Sequence, residues 1–375
     1  MPPTIRVLAV DDSAVARAMY RELLTLDAGF DLIATAPNAD IARRKITTMD
    51  PDVVVLDIEM PGENGLSLLQ WLMQHFPTPV VVSSSFSPRG AEQTMHAFSL
   101  GAIDVVCKTS VASADGERDF STALLDAVRA AAAARSKLRR GYGGATPTVP
   151  PAAASARPVP APANTAATPE HRPLRPVASP RRVLRGPVVV IGASTGGTEV
   201  LARMVMQMPA DFPPTLVVQH MPPIYTRAFA QRLNTLGAVR VEEAGDGQTV
   251  GPGQVLIAPG GQQMRLQAGA GGPMAIVRPE PPVNRHAPSV DVLFDSAADH
   301  YRTRVIGILL TGMGNDGARG LLRIREFGGR TIAQDEASSV VWGMPQEAVK
   351  LGAAEVVLPL DRIVHHVLNW LSGPP

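Results

Sequence analysis

The chain has 375 residues and a mass of 39.6 kDa, a length that predicts two or three domains. With 45% apolar and 18% charged residues it can build a sizeable core, and a net charge of +1 (35 basic against 34 acidic) argues against a dedicated nucleic-acid binder. One cysteine, Cys107, excludes an internal disulfide and fits a reducing cytoplasm; the start MPPTIR does not read as a signal peptide, and no apolar run suggests membrane insertion.

In chain order, short apolar runs alternate with helical patterns. Ile5–Val10, Phe30–Ala34, Val53–Leu56, Val80–Ser83 and Asp104–Val106 read as strands. Ala14–Leu26, Ala39–Met49, Gly65–His75, Ala91–Leu100 and Asp119–Ala134 read as helices. Five such βα units predict an N-terminal doubly wound, five-stranded parallel sheet over residues 1–134. Near-continuous apolar strands fit a sheet covered on both faces.

The composition then changes. Between Gly141 and Pro180 there are ten Pro and ten Ala, with few large apolar side chains. Such a stretch cannot bury enough surface to offset its ordering entropy. Residues 135–186 are therefore expected to form a linker, spanning roughly 40 Å if flexible. Arg135 to Arg185 holds ten basic residues and the single acid Glu170, leaving 25 basic against 33 acidic elsewhere. A basic tether between acidic domains results.

Downstream, residues 187–375 resume the alternation. Val188–Ile191, Thr215–Val218, Val255–Ile257, Val305–Leu310, Thr331–Ala333 and Val356–Leu358 read as strands. Helices are expected at Glu199–Met208, Thr226–Leu236, Val290–Tyr301, Ala318–Phe327, Gln346–Leu351 and Asp361–Leu371. Between Gly237 and Pro282, short strands separated by Gly and Pro predict an antiparallel excursion. The fold class is a second doubly wound, mostly parallel α/β domain.

In a parallel sheet, functional groups collect at the carboxyl ends of the strands. The first strand ends in Asp11-Asp12-Ser13 and the third in Asp57; the fourth ends in Ser83-Ser84 and the fifth in Cys107-Lys108. Three close carboxylates repel one another unless a cation lies between them, and hard oxygen ligands suit Mg²⁺. Asp57 beside such a cation is a candidate nucleophile toward a phosphoryl group, with Lys108 and Ser84 holding its oxygens.

These residues, with Met60-Pro61-Gly62 and Gly101-Ala102, resemble a response-regulator receiver domain over residues 4 to about 130. The resemblance implies that Asp57 is the phospho-acceptor and that Asp11 and Asp12 bind Mg²⁺. Thr109 stands where receivers usually have Pro, and the hydroxyl position is read as Ser84 rather than Ser83.

In the second domain, Val188–Ile191 runs into Gly192-Ala193-Ser194-Thr195-Gly196-Gly197 and then a helix. A phosphate-binding P-loop would need Lys near its end, and a dinucleotide loop would place Gly where Ser194 stands. The pattern G-x-S-x-G is met by Gly192, Ser194 and Gly196, on the strand-to-helix turn that motif requires. His220 ends the next strand and is the best-placed base. His286 lies in a Pro-rich loop, and His300, His365 and His366 lie inside helices, so all four fit less well. Asp316 follows the strand Val305–Leu310; Asp246 and Asp335 read as ordinary turn residues. Ser194, His220 and Asp316 thus form a candidate triad, in an order unlike the usual α/β-hydrolase.

Residues 187 to about 372 resemble the catalytic domain of chemotaxis protein-glutamate methylesterases, the CheB family. The matching segments are Gly192–Gly197, His220–Asn234, Ala258–Gly261, Ala287–Phe294, Gly307–Gly317 and Gln334–Pro345. The resemblance implies catalysis by Ser194, His220 and Asp316, with no cofactor for the esterase, on γ-glutamyl methyl esters of chemoreceptors. Backbone N–H groups near Thr195 or Met313 are candidates for the oxyanion hole. It further implies glutamine deamidation, a chemotaxis histidine kinase as phosphodonor, and a receiver that covers the catalytic face until Asp57 is phosphorylated. A non-catalytic signalling adaptor with an esterase-like binding domain is the alternative.

Overall fold

The computed structural model describes residues 4–108, 114–142 and 186–372. Thr109 and residues 143–185 of the expected linker lie outside the described residues.

The first unit runs β1 (Ile5–Val10), α1 (Ala14–Thr25), β2 (Phe30–Ala36), α2 (Ala39–Met49), β3 (Val53–Asp57), α3 (Gly65–His75), β4 (Val80–Ser85), α4 (Pro88–Ser99), β5 (Asp104–Lys108) and α5 (Ala114–Tyr142). Its five strands are parallel in the order β2-β1-β3-β4-β5. Local chemistry starts the helices. Ser13, Asn38, Asn64 and Ser87 each accept a hydrogen bond from a backbone N–H of the first turn of α1, α2, α3 and α4. Alternate strand residues then bury on opposite faces. Val53, Val55, Val81 and Val106 meet α1 and α5, while Val54, Leu56, Val80 and Val82 meet the helices of the other face.

Helix α5 continues eight residues beyond the Ala134 end expected from sequence. Two of its basic residues, Arg135 and Lys137, are anchored there rather than merely solvated. Arg135 pairs with Asp50 and Asp52, and Lys137 Nζ donates to the Glu336 and Ser339 carbonyls at 2.6 and 2.8 Å.

The second unit begins with β6 (Val188–Ala193), α6 (Gly197–Gln207), β7 (Thr215–Gln219) and α7 (Pro223–Asn234). Short strands follow: β8 (Arg240–Glu243), β9 (Gln248–Thr249), β10 (Gln254–Ile257), β11 (Gln263–Gly269) and β12 (Gly272–Arg278). It ends with α8 (Val290–Tyr301), a 3-10 turn at Arg302–Arg304, β13 (Val305–Leu309), α9 (Ala318–Glu326), β14 (Arg330–Gln334), α10 (Met344–Lys350), β15 (Val356–Leu358) and α11 (Leu360–Ser372).

Seven strands form one parallel sheet, β15-β14-β13-β6-β7-β10-β8. Helices α6, α7 and α11 pack on one face; α8, α9 and α10 pack on the other, together with a small antiparallel sheet β11-β12-β9. The antiparallel excursion is thus narrower than expected. Strand β8 lies inside the Gly237–Pro282 stretch yet pairs in parallel with β10. Its sequence, RVEE, buries only Val241, so an edge strand of this kind carries little apolar signal. The order places β13, β6 and β7 side by side at the sheet centre, and their carboxyl ends form one edge.

Candidate active site

Ser194 follows β6 by one residue and His220 follows β7 by one residue. The strands pair Ala193 with Gln219, and the His220 N–H donates to the Ala193 carbonyl at 3.0 Å. Ser194 and His220 therefore leave the sheet next to each other. Ser194 is half-buried, and its hydroxyl has no hydrogen-bond partner among the described residues. The turn is closed by Gly196, which takes φ +77° and starts α6 without a side-chain cap. Gln219, which sequence reasoning did not single out, stiffens both turns: its Nε2 donates to the Ser194 carbonyl at 2.9 Å and the His220 carbonyl at 3.1 Å.

Asp316 comes from the loop after β13, on the other side of β6. Its Oδ2 lies 2.8 Å from His220 Nε2, with the two side chains 2% and 7% exposed. His220 Nδ1 is buried without a partner among the described residues. Asp316 is held from behind by the N-terminus of α8. Val290 N–H donates to its Oδ2 at 2.7 Å; Ser289 Oγ at 2.8 Å and Asp291 N–H at 3.3 Å donate to its Oδ1. Asn284 Nδ2 donates to the same Oδ1 at 2.7 Å and to Asp291 at 2.8 Å. Burial alone would raise the Asp316 carboxyl, but His220, Asn284 and the Val290 N–H together hold it well below the usual carboxylate range.

The three predicted residues are thus gathered at one strand edge. The weaker acids are accounted for elsewhere. Asp246 pairs with Arg278 and accepts from Val277 N–H, and Asp335 accepts from Ser338 within its own turn. His286, set aside as the base because it lies in a Pro-rich loop, nevertheless reaches the site: its ring lies face to face with His220, centroids 3.6 Å apart and planes 11° apart. The Thr195 and Met313 backbone N–H groups have no acceptor among the described residues.

The first unit carries its own site. Oxygens of Asp11, Asp12 and Asp57 lie within 4.8 Å of one another. Lys108 Nζ is 2.7 Å from Asp11 Oδ2 and 2.6 Å from Asp57 Oδ2. Burial raises the Asp57 carboxyl, with Lys108 pulling the other way. Burial works against the Lys108 charge, but Asp57 and Asp11 outweigh it and keep the ammonium strongly protonated. Three converging carboxylate oxygens, one of them on exposed Asp12, fit a hard cation that retains water. Ser84 is not brought to Asp57. It lies on the opposite face of β4, its Oγ donating to the Gly90 carbonyl at 3.3 Å. Ser83 lies level with Asp57 and accepts from Tyr20 Oη at 2.8 Å.

The two units meet at these sites. Asp104, at the start of β5, accepts from Thr195 Oγ1 at 2.6 Å, and the Ile103 carbonyl accepts from Gly196 N–H at 3.3 Å. Both contacts fall on the loop that carries Ser194. Met95 and Phe98 of α4 share one apolar cluster with Met221, Tyr225 and Phe229. Tyr225 Oη is buried among Ser84, Cys107 and Thr94 without a hydrogen bond to any of them. A cavity of about 390 Å³ remains between the units, lined by Phe98, Ile103, Leu138, Thr198, Glu199 and Val340 among others.

A receiver-type sheet with an acidic pocket and a lysine, joined to a parallel α/β domain with Ser, His and Asp at one strand edge, defines a receiver-linked protein with a serine-hydrolase-type site. Comparisons make the assignment specific. Residues 7–114 match the response regulator receiver domain and residues 189–367 the CheB methylesterase domain. A protein-glutamate methylesterase/protein-glutamine glutaminase of Bordetella parapertussis is 45% identical over 371 residues, 98% of this chain and 97% of the relative. One from Dechloromonas aromatica is 42% identical over 374 residues, 100% of both chains. The CheB methylesterase catalytic domain of Thermotoga maritima is 40% identical, covering 49% of this chain and 98% of its own, with a TM-score of 0.48. The chain belongs to the CheB family of protein-glutamate methylesterases/protein-glutamine glutaminases, which are hydrolases. Among the described residues no helix is long and apolar enough to cross a membrane.

The site depends on one close approach. A Cβ on Gly312 would come within 2.7 Å of Ser194 Cβ and closer still to Met344 Sδ. The methionine end can move; the Ser194 backbone, tied by its N–H to the Thr311 carbonyl at 3.0 Å, cannot do so freely. Gly312→Ala is expected to lower kcat about 10²-fold, the scale of a 1 Å misplacement. Overpacking would cost about 1–3 kcal/mol of stability. An ester-hydrolysis assay alongside thermal unfolding checks both; an unchanged kcat would show that Ser194 tolerates the shift.

Proposed function

We propose that this protein is a phosphorylation-activated serine esterase. It hydrolyses glutamyl 5-O-methyl esters on chemoreceptors to glutamate and methanol, and deamidates receptor glutamines by the same route. The observation that carries the reading is the 2.8 Å pair of His220 and Asp316 at the strand edge beside Ser194. With Nε2 engaged by Asp316, Nδ1 is the nitrogen left to act as base. The familiar triad uses the two nitrogens the other way round.

The steps follow. Ser194 Oγ gives its proton to His220 Nδ1 and attacks the ester carbonyl carbon. The free N–H groups of Thr195 and Met313 support their assignment as donors to the resulting oxyanion, each worth about 10²–10³ in rate. Collapse of the intermediate expels methanol, which leaves with the proton from Nδ1. Water then attacks the acyl-enzyme, giving its proton to Nδ1; collapse breaks the Ser194 Oγ–acyl bond, Nδ1 returns the proton to Ser194 Oγ, and glutamate is released. With a glutamine side chain the leaving group is ammonia. Throughout, Asp316 fixes the ring by its edge and stabilises the imidazolium. No observation favours a non-catalytic adaptor.

In the receiver, Asp57 takes a phosphoryl group from a chemotaxis histidine kinase. Asp11, Asp12 and Asp57 would hold Mg²⁺, which when bound would neutralise charge on the phosphoryl group. Lys108 and Ser84 contact its oxygens. To do so, Ser84 must turn from the Gly90 carbonyl in the first turn of α4, and that disturbs the packing around Tyr225. Added charge at Asp57 thereby loosens the face that holds Asp104 on Thr195. The receiver ends with α5, a Pro/Ala-rich tether follows, and the catalytic domain fills the rest. A chemoreceptor substrate and a chemotaxis histidine kinase as phosphodonor support a cytoplasmic location.

Methanol release from methylated chemoreceptor membranes is expected to fall roughly 10⁶-fold in Ser194→Ala; full activity in that variant would sink the assignment. Acetyl phosphate with Mg²⁺ should accelerate the wild type and leave Asp57→Asn unchanged, whereas acceleration of that variant would place the switch elsewhere. Asp104→Ala should raise the unstimulated rate several-fold. An unaltered rate would mean that the carboxylate on Thr195 does not restrain the nucleophile loop.

A further inference from the structure

A single hydrogen bond does not fix an imidazole. The Asp316 contact holds one edge of His220, but the ring can still tilt about the Nε2···Oδ2 line, and that motion shifts Nδ1, the nitrogen proposed as base. Something must hold the plane. His286 lies flat against it, centroids 3.6 Å apart and planes 11° apart.

The segment around His286 is itself tightly held. Val283 and His286 exchange backbone hydrogen bonds of 3.0 and 2.9 Å, and Gln263 Nε2 donates to the His286 carbonyl at 2.9 Å. Between them, Asn284 and Arg285 take φ of +52° and +68°, a region costly for side chains with a Cβ. That strained turn brings Asn284 onto Asp316 and His286 onto His220, so one short loop serves both the acid and the base.

We propose that His286 is a positioning residue for the hydrolytic reaction, acting through the face of its ring to fix the plane of His220. The proposal rests on the reading of Ser194, His220 and Asp316 as the reacting groups. His286 is not a second base. Burial, with His220 and Arg285 beside it, pushes its pKa down to about 3 against the opposing pull of Asp316. The ring stays neutral while His220 gains and loses its proton. A neutral ring does not repel the imidazolium, and its π-face attracts it.

The test uses the full-length chain on methylated receptor membranes, comparing wild type, His286→Ala, His286→Phe and Ser194→Ala. His286→Ala should lower kcat about 10–100-fold, the range of a small misplacement, with KM within about twofold. His286→Phe keeps a flat ring and should restore kcat to within about threefold of wild type. The proposal is overturned if folded His286→Ala keeps full kcat, or if His286→Phe is as slow as His286→Ala. Should His286→Ala not fold, the Phe variant still decides: a near wild-type kcat supports a role for the ring face, and a collapse in kcat with an unchanged melting temperature contradicts it. Release by the wild type that does not depend on Ser194 would sink the underlying reading. Ser194-dependent release with a fully active His286→Ala would sink only this one.

Discussion

The N-terminus of α8 needs an acceptor, and Asp316 supplies it. Ser289 occupies the capping position, but its hydroxyl donates to Asp316 instead of accepting from its own helix. The orphan N–H groups of Val290 and Asp291 turn to the same carboxylate. The helix end and the acid thus satisfy each other, and the helix dipole favours the ionised form. Much else depends on that exchange. It aims Oδ2 at His220, leaves Nδ1 as the free nitrogen, and links α8 on one face of the sheet to the loop after β13. Removing the acid would orphan several buried donors at once, so structure and chemistry cannot be separated cleanly at this residue.

A second feature is how directly the receiver reaches the chemistry. Its contacts are not confined to a distant helix pair. Asp104 and Ile103 take hydrogen bonds from the two residues that follow Ser194, while Tyr225 of the catalytic domain lies against Ser84 of the receiver. The nucleophile loop and the phosphorylation pocket are therefore separated by few side chains. The apolar contact between α4 and α7 is well packed, yet an interdomain cavity and a buried, unpartnered phenol remain. Such a seam is suited to separation rather than permanence.

Much of this was legible in the sequence. The strand-end rule found Asp11, Asp12, Asp57 and Lys108 at one edge and Ser194, His220 and Asp316 at another, because parallel strands with apolar runs leave little doubt about direction. Strongly periodic helices such as α2, α3 and α8 were readable to the residue. What escaped was set by tertiary context. The end of α5 read as linker because Arg and Lys there look solvated, whereas Arg135 and Lys137 have partners far away in sequence. Strand β8 read as part of the antiparallel stretch because an edge strand needs only one buried residue. His286 sat beside prolines and gave no periodic signal; only the fold shows its ring on His220. The side of β4 on which Ser84 lies depends on strand register, which no local pattern fixes.

The central claim concerns which nitrogen of His220 carries the proton. It is tested most directly by ¹⁵N NMR of the histidine-labelled protein, with His220 assigned by comparison with His220→Gln. The account predicts that the neutral ring carries its proton on Nε2, donated to Asp316, and that Nδ1 gives the resonance of a bare, proton-accepting nitrogen. A neutral ring protonated on Nδ1 would contradict it, since the nitrogen left free by Asp316 could then not take the Ser194 proton.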